Sequence, residues 1–191
     1  MAEPFNADAY GPAAAKLLRD YRLFDLGPGT PVEAMRATLR AVTPGDLFQG
    51  KTIYDEYMAY ACMSGLWLYF DFLPESHRIS QSIPSTTGSL WHGIMHRREP
   101  DYPNAKYWLQ KFSSHPIYEP LQDYAVQLAK RSEGAPEIFV DPSDSWDPFA
   151  FVDLCEQYSG QSSDAEAFCQ QIQRREWELL FDYCYKRAIR R

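Results

Sequence analysis

The chain has 191 residues, of which 45% are hydrophobic, 15% aromatic and 24% charged, with a formal net charge of -7. That length suits one core of ordinary size, and that apolar content excludes a disordered chain. The acidic balance, with a pI near 5.1, excludes generic nucleic-acid binding, which needs a basic surface to neutralise phosphates.

Residues 1–11 read as a loose lead-in without the basic and apolar regions of a secretory signal. Pro12 suits the start of a helix over 12–22, with Leu17, Leu18 and Tyr21 on one side, ended by Gly27, Pro28 and Gly29. Thr30 can cap a second helix that opens with Pro31 and Glu33 and carries Val32, Met35, Leu39 and Val42. Residues 43–50 read as a turn. From about 51 to 73 runs the most apolar segment, hydrophobic on nearly every face from Tyr57 onward, which marks a central buried helix. Asp55 and Glu56 head it, Asp71 interrupts its end, and its uncharged run falls short of the roughly 20 residues a membrane span needs.

After Pro74 a short helix holds His77. Ser85, Thr86 and Thr87 supply capping hydroxyls for a helix that carries His92 and His96 and stops at Pro100. Asp101 can cap a further helix through Phe112, and an amphipathic helix follows His115 and Pro116 to about Arg131. Residues 132–146 read as a loop, the EIFV segment within them being a strand without a partner. A helix near 147–158 precedes the last one, where Ser163 and Glu166 have capping-box spacing and Phe168, Cys169, Ile172, Leu179, Leu180, Tyr183 and Cys184 form a seam. The basic end Lys186, Arg187, Arg190 and Arg191 suits a helix C-terminus.

The expected fold is therefore all-α, a single-domain bundle over residues 1–191 of roughly seven to nine helices around the helix at about 51–73. Cys62, Cys155, Cys169 and Cys184 form no C-x-x-C pair, and Cys169 and Cys184 would stand about 22 Å apart on one helix, too far to bridge. Free thiols and the missing signal point to the cytoplasm.

Reactive side chains concentrate in Trp91 to Trp108. His92 and His96 stand at i and i+4, on one face of a helix, a spacing used in zinc and non-haem iron sites that are completed by a third protein ligand and an open position for water. The candidates for that third ligand include His77, His115 and Glu176, the last occupying an apolar position in the final helix's seam. Glu99 would extend the stripe, but Pro100 disfavours helical geometry there. Three readings stay open for the histidines: a divalent-metal site (zinc, iron or manganese), a hydrogen-bonded network inside an aromatic core, and metal-free acid-base chemistry. Glu176 has a rival role as ion-pair partner of Arg97, Arg98 or Arg174. Arg97 and Arg98 suit a carboxylate or phosphate ligand, unless Glu99 and Asp101 neutralise them internally. Tyr107 and Trp108 suit the walls of a pocket for a flat ligand, or the core.

The stretches SHRISQSI, TGSLWHGIMHRREPDYPNAKYWLQKFSSHPIY and EWELLFDYC resemble an uncharacterised bacterial and fungal family, most clearly over residues 76–118. The resemblance implies that His77 to His115 is the family's defining region and that the chain is a complete stand-alone member. It carries no catalytic residue across. The functional expectation is a polar His, Arg and acid site that binds a divalent metal and acts on a small molecule through metal-activated water, without nucleic acid or membrane as partner. The alternative is a non-enzymatic ligand-binding or protein-interaction module in which the same histidines are structural.

Overall fold

Local chemistry sets most of the helix starts in the computed structural model, which describes residues 5–132, 135–136 and 145–190. After a 3-10 turn at Ala7–Tyr10, the helices are α1 (Pro12–Leu18), α2 (Glu33–Ala41), α3 (Pro44–Leu47), α4 (Glu56–Tyr69) and α5 (Leu73–Ser80). They continue as α6 (Thr86–Arg98), α7 (Tyr102–Leu109), α8 (Tyr118–Ala129), α9 (Pro148–Tyr158) and α10 (Asp164–Ala188). Side-chain caps at Thr43, Asp55, Ser85, Asp101, Asp147 and Ser163 satisfy amide groups that the first turns leave open. The described residues contain no strand, so the all-helical expectation holds.

The central helix is α4, shorter than expected. Asp55 caps it by accepting the Met58 amide at 3.1 Å, and it ends at Phe70, after which Asp71 takes a left-handed φ of 64°. It packs on α5, α6 and α10. Gly65 permits the close crossing with α6, because a Cβ there would lie 2.9 Å from the Trp91 ring. On the other side the Gly65 carbonyl accepts the Trp177 indole N–H at 2.8 Å, joining α4 to α10. Trp91, Trp177, Phe181 and Tyr69 are buried in one continuous apolar cluster that runs through most of the helices. The expectation of burial on nearly every face fails at Tyr57 and Tyr60, which stay 53% and 47% exposed.

The first helix stops at Leu18 instead of continuing to residue 22. From Arg19 to Val32 the chain runs without a helix, and its backbone groups are taken by buried side chains from distant elements. Tyr69 Oη donates to the Asp20 carbonyl at 2.7 Å, Arg174 to the Arg22 carbonyl at 2.9 Å and Gln173 to the Asp25 carbonyl at 2.8 Å. Arg98 Nε donates to the Gly27 carbonyl at 3.2 Å, and the Val32 amide to the Phe70 carbonyl at 3.1 Å. That last bond sets the start of α2 at Glu33, so Thr30 does not cap it.

Smaller differences have similar causes. Helix α7 ends at Leu109, short of Phe112. Ser163 Oγ accepts the Glu166 amide at 3.2 Å, as its spacing predicts, but Glu166 turns its carboxylate to the Gly160 and Ser162 amides at 2.7 and 2.6 Å. Of the residue 132–146 loop only 132, 135–136 and 145–146 are described, so EIFV lies outside the described residues, as do residues 1–4 and Arg191. No helix among the described residues is long and apolar enough to cross a membrane.

Candidate metal centre

Helix α6 is buried along almost its whole length, between α4, α5, α7 and α9. Its entry is tight: Ser85 Oγ accepts the Gly88 amide at 3.1 Å, and a Cβ on residue 88 would sit 2.3 Å from the Ile83 carbonyl oxygen. With that start fixed, His92 and His96 project one turn apart toward α5 and α7. They are 1% and 4% exposed.

The structure brings His77 from α5 to this pair. Ring nitrogens of His77, His92 and His96 lie within 4.8 Å of one another, a grouping that can hold a metal ion. The remaining ring nitrogens of the α6 pair are oriented by partners. Ser80 Oγ lies 3.2 Å from the His77 carbonyl and 3.0 Å from His92 Nδ1, and its hydroxyl can donate to either. His96 Nδ1 faces Glu99 Oε2 at 3.1 Å, with Asp101 Oδ2 at 4.0 Å, and donates its proton to the carboxylate. The two Nε2 atoms stand 3.0 Å apart, a distance that fits a hydrogen bond between the rings or a cation shared by them. Tetrahedral zinc, with bonds of about 2.0–2.1 Å, sets neighbouring ligand nitrogens about 3.3 Å apart, close to this spacing.

Burial keeps the α6 pair neutral. It pulls His92 from 6.5 down to about 3, with the neighbouring His96, His77 and Lys111 adding to the effect. It also lowers His96, against the opposing pull of Glu99. A neutral imidazole is the form that ligates a metal. Trp108 covers one side, its ring centroid 4.1 Å from that of His92, and Lys111 Nζ lies 3.4 Å from the Trp108 ring centroid. The side chains of Glu99 and Asp101 are about half exposed and form a polar rim beside His96. Asn104 Nδ2 reaches Asp101 Oδ2 at 3.2 Å and lies 3.1 Å from His96 Nε2.

Two expected ligands fall outside this group. His115, on the segment before α8, meets Thr87 Oγ1 through Nε2 at 3.1 Å and packs on Tyr183. Glu176 is committed to Arg97, with Oε2 2.5 Å from Nη2 and Oε1 3.4 Å from Nη1; both residues are at most 2% exposed. Gln173 accepts from the same guanidinium at 3.2 Å.

The ligand-recognition expectation for Arg97 and Arg98 is corrected too, because both are buried and paired inside the bundle. Their partners are Glu176 and Asp71 rather than Glu99 and Asp101. Glu99 lies one and two residues from these arginines and so does not share their face, and Asp101 lies beyond the end of α6 at Arg98, where helical spacing no longer applies. Tyr107 is 52% exposed, and Trp108 lies against His92. Glu99 regains a role, since as the C-cap residue of α6 it still reaches His96 with φ -75° and ψ 7°. Ser80 and Asn104 escaped sequence reasoning altogether, because a lone hydroxyl or amide carries no pattern.

Burial alone lowers His115 from 6.5 to about 4. Between those values the unfolded chain binds more protons than the folded one, so stability present above about pH 6.5 declines as the pH falls toward 4, by an amount on the order of 3 kcal/mol. His115→Gln should lose correspondingly less of its stability over this interval in urea titrations. A variant with the same pH slope as wild type would refute that assignment.

No family model, curated protein or solved structure matches the chain.

Proposed function

We propose that His77, His92 and His96 hold a divalent metal ion, and that the metal activates water for reaction with a small molecule. One observation carries the reading: ring nitrogens of three histidines, two of them buried, lie within 4.8 Å of one another, with the Nε2 atoms of His92 and His96 3.0 Å apart. Three neutral nitrogen donors suit zinc better than manganese, which favours oxygen ligands, with iron between them. A three-histidine set leaves a coordination position for water, whose pKa zinc lowers to about 7. Glu99 and Asp101, half exposed beside His96, are within the site's rim to take up protons. The free, buried thiols fit a reducing compartment such as the cytoplasm.

The Asn104 amide beside His96 Nε2 favours a second reading, in which the same groups are a hydrogen-bonded network that fastens α5, α6 and α7 in a non-enzymatic binding module. Elemental analysis of protein purified without an affinity tag separates the two. The metal reading expects about one metal per chain, lost in His92→Ala. No stoichiometric metal, together with no stabilisation by added zinc, iron or manganese, would sink it.

A further inference from the structure

Two exposed rings of α4, Tyr57 and Tyr60, and the buried Trp67 line a groove that the fold leaves open. Tyr57, Tyr60 and Trp67 follow one another at steps of three and seven residues, on one face of the helix. Helix α5 packs against α4 but ends at Ser80, and the chain turns away through Ile83 into α6. The space left between them has a volume of about 390 Å³, with Tyr57, Tyr60, Trp67 and Ile83 as its apolar wall and Arg78 and Glu75 as its charged groups. That volume is in the range of small-molecule pockets, which are mostly apolar with a few polar groups that fix orientation.

The two charges are not equivalent. Glu75 is neutralised by Arg36, whose Nη1 lies 2.6 Å from Oε1. Arg78 is exposed and makes no ion pair with any described carboxylate, although the chain as a whole carries an excess of acids. The groove therefore combines aromatic walls with one uncommitted guanidinium, a fork suited to two-point recognition of a carboxylate. Tyr57 and Tyr60 keep their rings half in water at a cost that an occupant would relieve.

We propose that this groove between α4 and α5 binds a small planar aryl carboxylate, with the ring against Tyr57, Tyr60 and Trp67 and the carboxylate on Arg78. None of the three clustered histidines lines this groove, although Arg78 follows His77 in the chain.

The test is calorimetric titration with 2-naphthoate and with the neutral 2-naphthol at pH 7. The expected result is one naphthoate per chain, with naphthol bound about tenfold more weakly. Arg78→Gln should lower naphthoate affinity about tenfold and leave naphthol unchanged, since only the carboxylate makes a charge-assisted hydrogen bond with the guanidinium and solvent weakens that bond at an exposed site. Tyr60→Ser, a change at an exposed position, should weaken both ligands. Absence of naphthoate binding at millimolar concentration would overturn the proposal, as would equal affinity in Arg78→Gln. So would concentration-dependent dimerisation abolished by Tyr60→Ser, because the groove would then be a contact between two copies of the chain.

Discussion

Replacing Arg98 with leucine is expected to lower folding stability by about 3–5 kcal/mol, the cost of removing one partner from a buried ion pair. The Arg98 guanidinium lies 2.6 Å from Asp71 Oδ1, and both side chains are at most 2% exposed. It also donates to the carbonyls of Leu68 at 3.0 Å and Gly27 at 3.2 Å. Leucine fills part of the volume but strands the Asp71 carboxylate with Arg22 as its other partner, and Arg22 is 30% exposed. The two carbonyls lose their buried donor as well, and an unmade buried hydrogen bond costs about 1–3 kcal/mol. For a chain of this size the loss corresponds to a fall in Tm on the order of 10 °C. Because the same guanidinium ties the 19–32 segment to α4, that segment should also become accessible to protease at lower temperature. A double-mutant cycle with Asp71→Asn should give a coupling of at least about 1 kcal/mol, since contacting residues are not additive. An Arg98→Leu variant within 1 kcal/mol of wild type, or additive losses, would rule this account out.

Zinc is expected to stabilise the metal-free protein by about 2.7 kcal/mol at a free concentration 100 times its Kd, which follows from binding the folded state alone. That is a rise in Tm of about 5–10 °C for a protein of this length. His96→Ala should abolish the rise, because it removes one of the two Nε2 atoms that face each other at 3.0 Å. Glu99→Gln should weaken zinc about 10–100-fold without removing it, because the Glu99 carboxylate only orients His96 through Nδ1. His115→Gln, which lies outside the group, should keep the full response. If His96→Ala retained the zinc-dependent shift, the metal would be binding elsewhere and the site would have to be abandoned. Loss of stability in His96→Ala without any zinc response in the wild type would favour the structural network.

The α6 pair was legible because a helix converts a spacing of four residues into a shared face, whatever surrounds it. The third histidine was legible only as one of several candidates. His77 and His115 flank the pair at similar separations, and the packing of α5 on α6 decides between them. Glu176 shows the same limit from the other direction. Its place in an apolar seam marked it as a buried acid with a partner, yet nothing in the order of residues chose Arg97 over a metal. Arg97 reaches it because α6 and α10 both pack on α4 and α9, which brings together two residues 79 positions apart along the chain.

Sequence periodicity and capping chemistry by themselves determined the helical class, most of the helix starts and the face that carries His92 and His96, because each of these depends on neighbours within about one turn. Tertiary structure alone decided the partners of the buried charges, the path of residues 19–32 and the uncovered groove beside Tyr57 and Tyr60. Those features depend on which side chains arrive from distant helices to satisfy a carbonyl, neutralise a carboxylate or cover a ring. The stretch from Trp91 to Trp108 belongs to both: its helix face is local, and its third nitrogen comes from α5.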